Sequence, residues 1–190
     1  MFGRALFATA IVPFFLASCA TASPVNGCSG QEQFQESAQA DGQEQAAIPL
    51  ELTGRVVDAA EIIPARIEAE LTRKLEQIET DTLSQIVVVT TPDLNGMDVA
   101  QYARLLGNGW GIGDAERDDG VVLLFAPNER VLRIAVGCGL ETTLTDELSA
   151  EIVSEIVSRI RQDDIASGIQ LGVGRIDQEL RRALETDLAA

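Results

Sequence analysis

Apolar positions along this chain fall into two kinds of run. Ile67, Leu71, Leu75 and Ile78 recur at spacings of four, four and three, which is one face of an α-helix. Pro64 suits the first turn of that helix. Gln85 to Thr91 is a short β-branched run bounded by Pro92 and predicts a buried strand. Asp98 is placed to cap a helix reaching about Gly107. Gly120 to Ala126 predicts a second buried strand, Pro127 to Arg130 a turn, and Val131 to Val136 a third, alternating strand. The short connection makes the last two strands an antiparallel hairpin. Thr145 caps a helix whose Leu148, Ile152, Ile156 and Ile160 form a stripe. A final helix starts at Asp163 or Asp164 and turns Ile165, Ile169, Val173, Ile176, Leu180 and Leu184 inward, with Gly168, Gly172 and Gly174 predicting close packing. This order of elements predicts a sheet covered by helices on both faces, of class α/β or α+β.

The pattern changes upstream of residue 50. Ala5 to Leu16 is uncharged and mostly apolar. It is too short to cross a bilayer, which takes about 20 residues, and has the length of a secretory signal core. Leu16-Ala17-Ser18-Cys19 resembles the bacterial lipobox, which implies a signal peptide over 1–18 and acylation of Cys19, palmitate included. A plain signal peptide with an incidental cysteine is the other reading. Ala20 after the cysteine, in place of Asp, points to the periplasmic face of the outer membrane. Each buried acyl methylene contributes about 0.8 kcal/mol to such an anchor. Residues 19–49 are rich in Gln, Ser, Ala, Gly and Glu and predict a disordered tether. One folded domain, 50–190, follows, and no later segment is long and apolar enough to span a membrane.

Composition narrows the chemistry. The 190 residues carry a net charge of −16 and no histidine. The charge opposes nucleic-acid binding and attachment to anionic lipid by a basic patch. Without histidine there is no Ser-His-Asp triad, no Cys-His dyad and no imidazole base. Carboxylates, hydroxyls, amides, arginines and bound ions remain. Cys28 and Cys138 are left for an oxidising compartment, where two cysteines alone do not decide whether they pair.

Four segments gather polar groups: Leu52 to Asp58, Trp110 to Gly120, Asn128 to Arg130, and Gly137 to Asp146. The second is the richest, with Asp114, Glu116, Asp118 and Asp119 directly before a strand. Crowded carboxylates repel, and a hard cation such as Ca²⁺ relieves the repulsion. The loop opens like an EF-hand but has Asp119 at the turn-glycine place and Phe125 at the bidentate-glutamate place, so it is not one. A solvated acidic loop is the plain alternative. No Gly-rich phosphate loop and no Gly-x-Ser-x-Gly segment is present.

Several of these segments together resemble the TPM domain family, named from thylakoid-lumen, photosystem-repair and acetylcholine-receptor-modulating members. The resemblance rests on Leu52-Thr-Gly-Arg-Val-Val-Asp58, Ala103 with Trp110-Gly-Ile-Gly113, Asp119-Gly-Val-Val-Leu-Leu124 and Asn128-Glu129-Arg130. It extends through Gly137-Cys-Gly-Leu-Glu141, Leu144-Thr-Asp146 and Arg161-Gln-Asp-Asp-Ile-Ala-Ser-Gly168. Glu129 replaces the family's Asp, Cys138 stands where an aromatic or Arg is common, and the last segment lacks a glycine and an aromatic.

The resemblance implies a three-layer α/β/α sandwich with a Rossmann-like mixed sheet. Some members of the family bind Ca²⁺ or similar ions, plant members have acid phosphatase activity, and others assist membrane-protein complexes. Carried over by position, the implied cation ligands are Asp58, Asp118, Asp119 and Glu141, with Asp146 and Glu129 nearby. The cation is expected to be Ca²⁺, with Mg²⁺ as the other choice. The expected function is an exported, envelope-anchored accessory module for assembly, repair or quality control of a membrane-protein complex. The alternative is a metal-assisted phosphatase using Asp119 to position water and Arg130 or Arg55 to hold phosphate. No nucleophile motif is visible, and the net negative charge disfavours anionic substrates without a cation. The cation reading requires Asp58, Asp119 and Glu141 to meet at one rim.

Overall fold

Strands β2 (Gln85–Thr90) and β3 (Gly120–Ala126) are apolar at nearly every position because both of their faces are covered. In the computed structural model they form the centre of a four-stranded sheet, flanked by β1 (Val56–Asp58) and β4 (Val131–Val136). The structure describes residues 50–161 and 164–188, all within the unit Ala40–Ala190. The expected signal peptide, Cys19, the tether, Cys28 and Asp163 lie outside the described residues.

Strand order follows the chain, β1-β2-β3-β4. β1, β2 and β3 are parallel, and β4 returns antiparallel to β3 as the hairpin pattern predicts. Alternate residues divide two cores. Val56, Ile86, Val88, Val121 and Leu123 pack under α1 (Ala65–Thr82), α3 (Asp146–Ile160) and α4 (Ile165–Leu188). Val57, Val87, Val89, Val122 and Leu124 pack on the opposite face under α2 (Val99–Trp110). The result is the α/β/α sandwich. Both βαβ crossovers step in the same direction across the sheet, yet α1 and α2 lie on opposite faces. The two therefore have opposite hand, and one is the rare left-handed form.

Helix ends follow the sequence signals. Asp98 accepts the N–H groups of Ala100 at 2.9 Å and Gln101 at 3.2 Å, and Thr145 accepts Leu148 N–H at 3.2 Å. α2 runs on past Gly107 to Trp110 and ends at Gly111 in the left-handed region, φ 63°. α1 ends on Leu83 with φ 62°, a conformation glycine adopts at less cost. Four expectations are corrected. Val56–Asp58 is a strand, Pro64 sits just before α1 rather than inside its first turn, Leu184 is 37% exposed rather than inward, and Gly174, unlike Gly168 and Gly172, has open space rather than a close neighbour. Among the described residues no helix is long and apolar enough to cross a membrane.

Candidate functional site

The polar segments collect at two opposite edges of the sheet. Residues that follow a parallel strand reach one edge, and residues that precede one reach the other.

Asp58 ends β1, level with Thr90 of β2 and Phe125 of β3. Its Oδ1 accepts Ile62 N–H at 3.2 Å and the Thr90 hydroxyl, and its Oδ2 accepts Ile63 N–H at 2.8 Å. Thr90 Oγ1 in turn accepts Ala60 N–H at 3.1 Å. The carboxylate thus shapes the loop that leads into α1. A cavity of about 550 Å³ opens beside it, and Glu51, Glu61 and Glu68 also line it, with no basic side chain in the lining. On the same edge, Glu129 Oε1 accepts Leu94 N–H at 2.9 Å, and Asn128 Nδ2 donates to Pro92 O at 2.7 Å. The hairpin turn therefore holds the loop between β2 and α2. Thr91 and Tyr102 share a buried hydroxyl–hydroxyl hydrogen bond of 3.3 Å beneath it. Burial, then the charges of Asp93 and Glu129, push the Tyr102 phenol above its ordinary value.

The acidic loop lies at the other edge. Asp119 precedes β3 and is 6% exposed. Its Oδ1 accepts Asp114 N–H at 2.8 Å and its Oδ2 accepts Arg117 Nε–H at 2.6 Å. Asp114 Oδ1 accepts the N–H groups of Glu116 at 3.0 Å and Arg117 at 3.1 Å. The hydrogen bonds from Arg117 and Glu116 hold Asp114 below the ordinary carboxylate value, and Asp119 raises Arg117 above its own. Asp118, with φ 50°, accepts Cys138 N–H on Oδ2 at 3.0 Å and Gly139 N–H on its carbonyl at 3.0 Å. A Cβ on Gly139 would lie 1.8 Å from Arg117 O, and one on Gly137 2.2 Å from Asp118 O. The Gly-x-Gly spacing is thus the condition for two backbones to touch. Glu141 closes the short 3₁₀ turn Cys138–Leu140 at this edge, and Asp146 opens α3 beside its cap Thr145.

The six expected cation ligands therefore do not form one site. Asp58 lies six residues along the strands from Asp119, about 20 Å at about 3.3 Å per residue. Glu129 shares the edge of Asp58, while Asp118, Asp119 and Glu141 share the other. Two oxygens on one Ca²⁺ lie within about 5 Å of each other. Among the described residues no three Asp, Glu or Cys side chains are arranged to hold a metal ion. The set Asp58, Asp118, Asp119, Glu129, Glu141 and Asp146 does not fit a single cation. Asp119 and Arg130 are likewise at opposite ends of β3, so the catalytic pair expected of a phosphatase does not meet. Arg55 is on the edge of Asp119 but pairs with Glu79, and both line a second cavity of about 500 Å³ with Arg117 and Glu76.

These loops sit on a fold with known counterparts. The family model described as the TPM domain matches residues 56–179. The chain belongs to the TPM domain family. The N-terminal domain of a protein from P. gingivalis is similar at 27% identity and a TM-score of 0.65, covering 70% of this chain and 85% of that one. The N-terminal domain of the cg2496 protein from Corynebacterium glutamicum is similar at 16% identity and TM-score 0.55, covering 68% and 82%. The BA42 protein of the psychrophilic bacterium Bizionia argentinensis is similar at 17% identity and TM-score 0.58, covering 64% and 83%. The last two likenesses bear on the fold alone. No curated protein matches.

Within the TPM domain of this chain, the motif residues with defined contacts hold loops together. Sequence reasoning passed over Thr90 and Arg117, the partners of Asp58 and Asp119. Arg117 was findable, since it stands two residues from Asp119 in a turn. Thr90 was not, because its partner comes from a strand 32 positions away.

Proposed function

We propose that this TPM-domain chain is an exported, lipid-anchored envelope protein. In this reading it has no reaction of its own and assists assembly, repair or quality control of a membrane-protein complex. One observation carries the noncatalytic reading. Asp58 and Asp119, the motif carboxylates at the two edges, both have each oxygen engaged by N–H or O–H donors of neighbouring loops. A general base must be within reach of substrate, and Asp119 is 6% exposed beneath its bonds to Asp114 and Arg117. The lipobox-like Leu16-Ala17-Ser18-Cys19 supports the anchor.

In this reading a divalent cation is drawn to the Asp58 edge as a counterion rather than into a formed set of ligands. Glu51, Asp58, Glu61 and Glu68 line one cavity without a basic residue, whereas Arg117 already neutralises Asp119. The negative charge gathered along this edge attracts a cation through its field, while the Asp58 oxygens stay engaged with Ile62, Ile63 and Thr90.

The test is a thermal melt of the full chain with and without Ca²⁺ or Mg²⁺, beside the Glu61→Gln/Glu68→Gln double variant. A rise with cation in the parent that is lost in the double variant supports the assignment; at 100 times Kd the gain is about 2.7 kcal/mol. An equal rise in both proteins removes the cation from this cavity. Phosphomonoester hydrolysis by the parent that disappears in Asp119→Asn overturns the noncatalytic reading. Labelling with radioactive palmitate in the producing cell, absent in Cys19→Ala, tests the anchor.

A further inference from the structure

The chain has four asparagines, and three of them precede glycine: Asn26, Asn95 and Asn108. An Asn-Gly pair is the sequence most prone to deamidation, because glycine leaves the attacking amide nitrogen unshielded. The structure separates the two described pairs. Asn108 and Gly109 lie inside α2, Val99–Trp110, where the Gly109 N–H belongs to the helix ladder. Asn95 and Gly96 lie in the exposed loop between β2 and α2. Asn95 N–H donates to Asp93 Oδ1, but among the described residues neither the Gly96 N–H nor the Asn95 side-chain amide has a hydrogen-bond partner. Nothing lies within 4 Å of the place a Gly96 Cβ would take.

We propose that Asn95 is a spontaneous modification site of this protein. The Gly96 nitrogen attacks Cγ of Asn95, a new N–Cγ bond forms, and the Cγ–Nδ2 bond breaks. Ammonia leaves with the proton from the Gly96 amide. Water then opens the five-membered imide at either carbonyl, giving aspartate or isoaspartate at position 95. No oxidant, enzyme or cofactor enters the balance.

The site has a structural consequence. Leu94 on one side is buried and held by Glu129, and Asp98 on the other caps α2. Isoaspartate adds one methylene to the main chain between these two anchors. Either product adds a carboxylate beside Asp93 and Glu129, on the edge that already carries Asp58.

The experiment ages the full chain in mildly alkaline buffer, then maps peptides by mass spectrometry with fragmentation that distinguishes aspartate from isoaspartate. Position 95 is expected to convert at least about tenfold faster than position 108, the factor imposed when a helix must first open locally. Repeating it in concentrated urea is expected to bring the two rates together. Equal rates in the native protein, or faster conversion at Asn108, overturn the proposal. A rate difference that survives urea also overturns it, since local sequence rather than fold would then be the cause.

Discussion

Arg117 donates from Nε to Asp119 Oδ2 at 2.6 Å, and the carboxylate it reaches is 6% exposed while the guanidinium side chain is about half exposed. The pair fastens the acidic loop to the start of β3, and Asp114 N–H completes the load on Asp119. Asp119→Asn keeps the shape and removes the charge. The expected loss is about 1 to 3 kcal/mol, the range for a buried hydrogen bond to a charged group, with the lower end favoured by solvent around Arg117. Urea denaturation with and without Ca²⁺ measures it. A cation ligand would behave differently, since its loss would leave the calcium-free protein as stable as before.

Gly139 meets the same loop from the other side. With the Arg117 carbonyl 1.8 Å from an added Cβ, and both groups backbone, relief requires one of the two segments to move. Gly139→Ala is expected to cost about 3 kcal/mol or more, the upper end for overpacked sites. Gly174, in the middle of α4, has nothing within 4 Å of an added Cβ. Gly174→Ala is expected to stabilise by about 0.5 to 1 kcal/mol through helix propensity alone. Thermal melts of the two variants should therefore shift in opposite directions.

The apolar periodicity was sufficient for the helices, the two central strands and the hairpin, because burial on one stripe or on both faces leaves its mark locally. Val56–Asp58 left none. A three-residue strand has room for one apolar pair, and that pair reads equally as a loop. Missing it concealed the layout of the site. Once β1 is a strand parallel to β2 and β3, Asp58 follows a strand and Asp119 precedes one, so they belong at opposite edges. The Gly137-x-Gly139 spacing was visible as a resemblance, but its cause was not, since the carbonyls it must admit belong to Arg117 and Asp118, some twenty positions earlier.

Glu129 and Asn128 clamp the loop between β2 and α2 through Leu94 N–H and Pro92 O. Glu129 is exposed, so its contribution to global stability is expected to stay near or below about 1 kcal/mol. Its local effect is larger. Glu129→Ala frees the Leu94 amide, and native-state hydrogen exchange there should accelerate while amides of β2 and β3 keep their rates. Unchanged exchange at Leu94 would show that the burial of its side chain holds the loop without the carboxylate.

Tyr102 is the chain's one tyrosine, so its phenol can be titrated by absorbance without interference from another. It is fully buried beneath the β2–α2 loop, bonded to Thr91, and its folded-state pKa lies above the ordinary value of 10.0, chiefly through burial. The folded chain therefore keeps the proton where the unfolded chain releases it. This contribution is intact below pH 10 and is lost as pH rises above it, with a slope no steeper than about 1.4 kcal/mol per pH unit. Tyr102→Phe removes the ionisation and leaves Thr91 Oγ1 its bond to Asp93 O at 2.9 Å. The variant is expected to lose about 0.5 to 1.5 kcal/mol at neutral pH and to show a shallower alkaline limb than the parent. Parallel alkaline limbs in urea denaturation would mean that lysine and arginine pairs, rather than this phenol, set the upper pH limit of the fold.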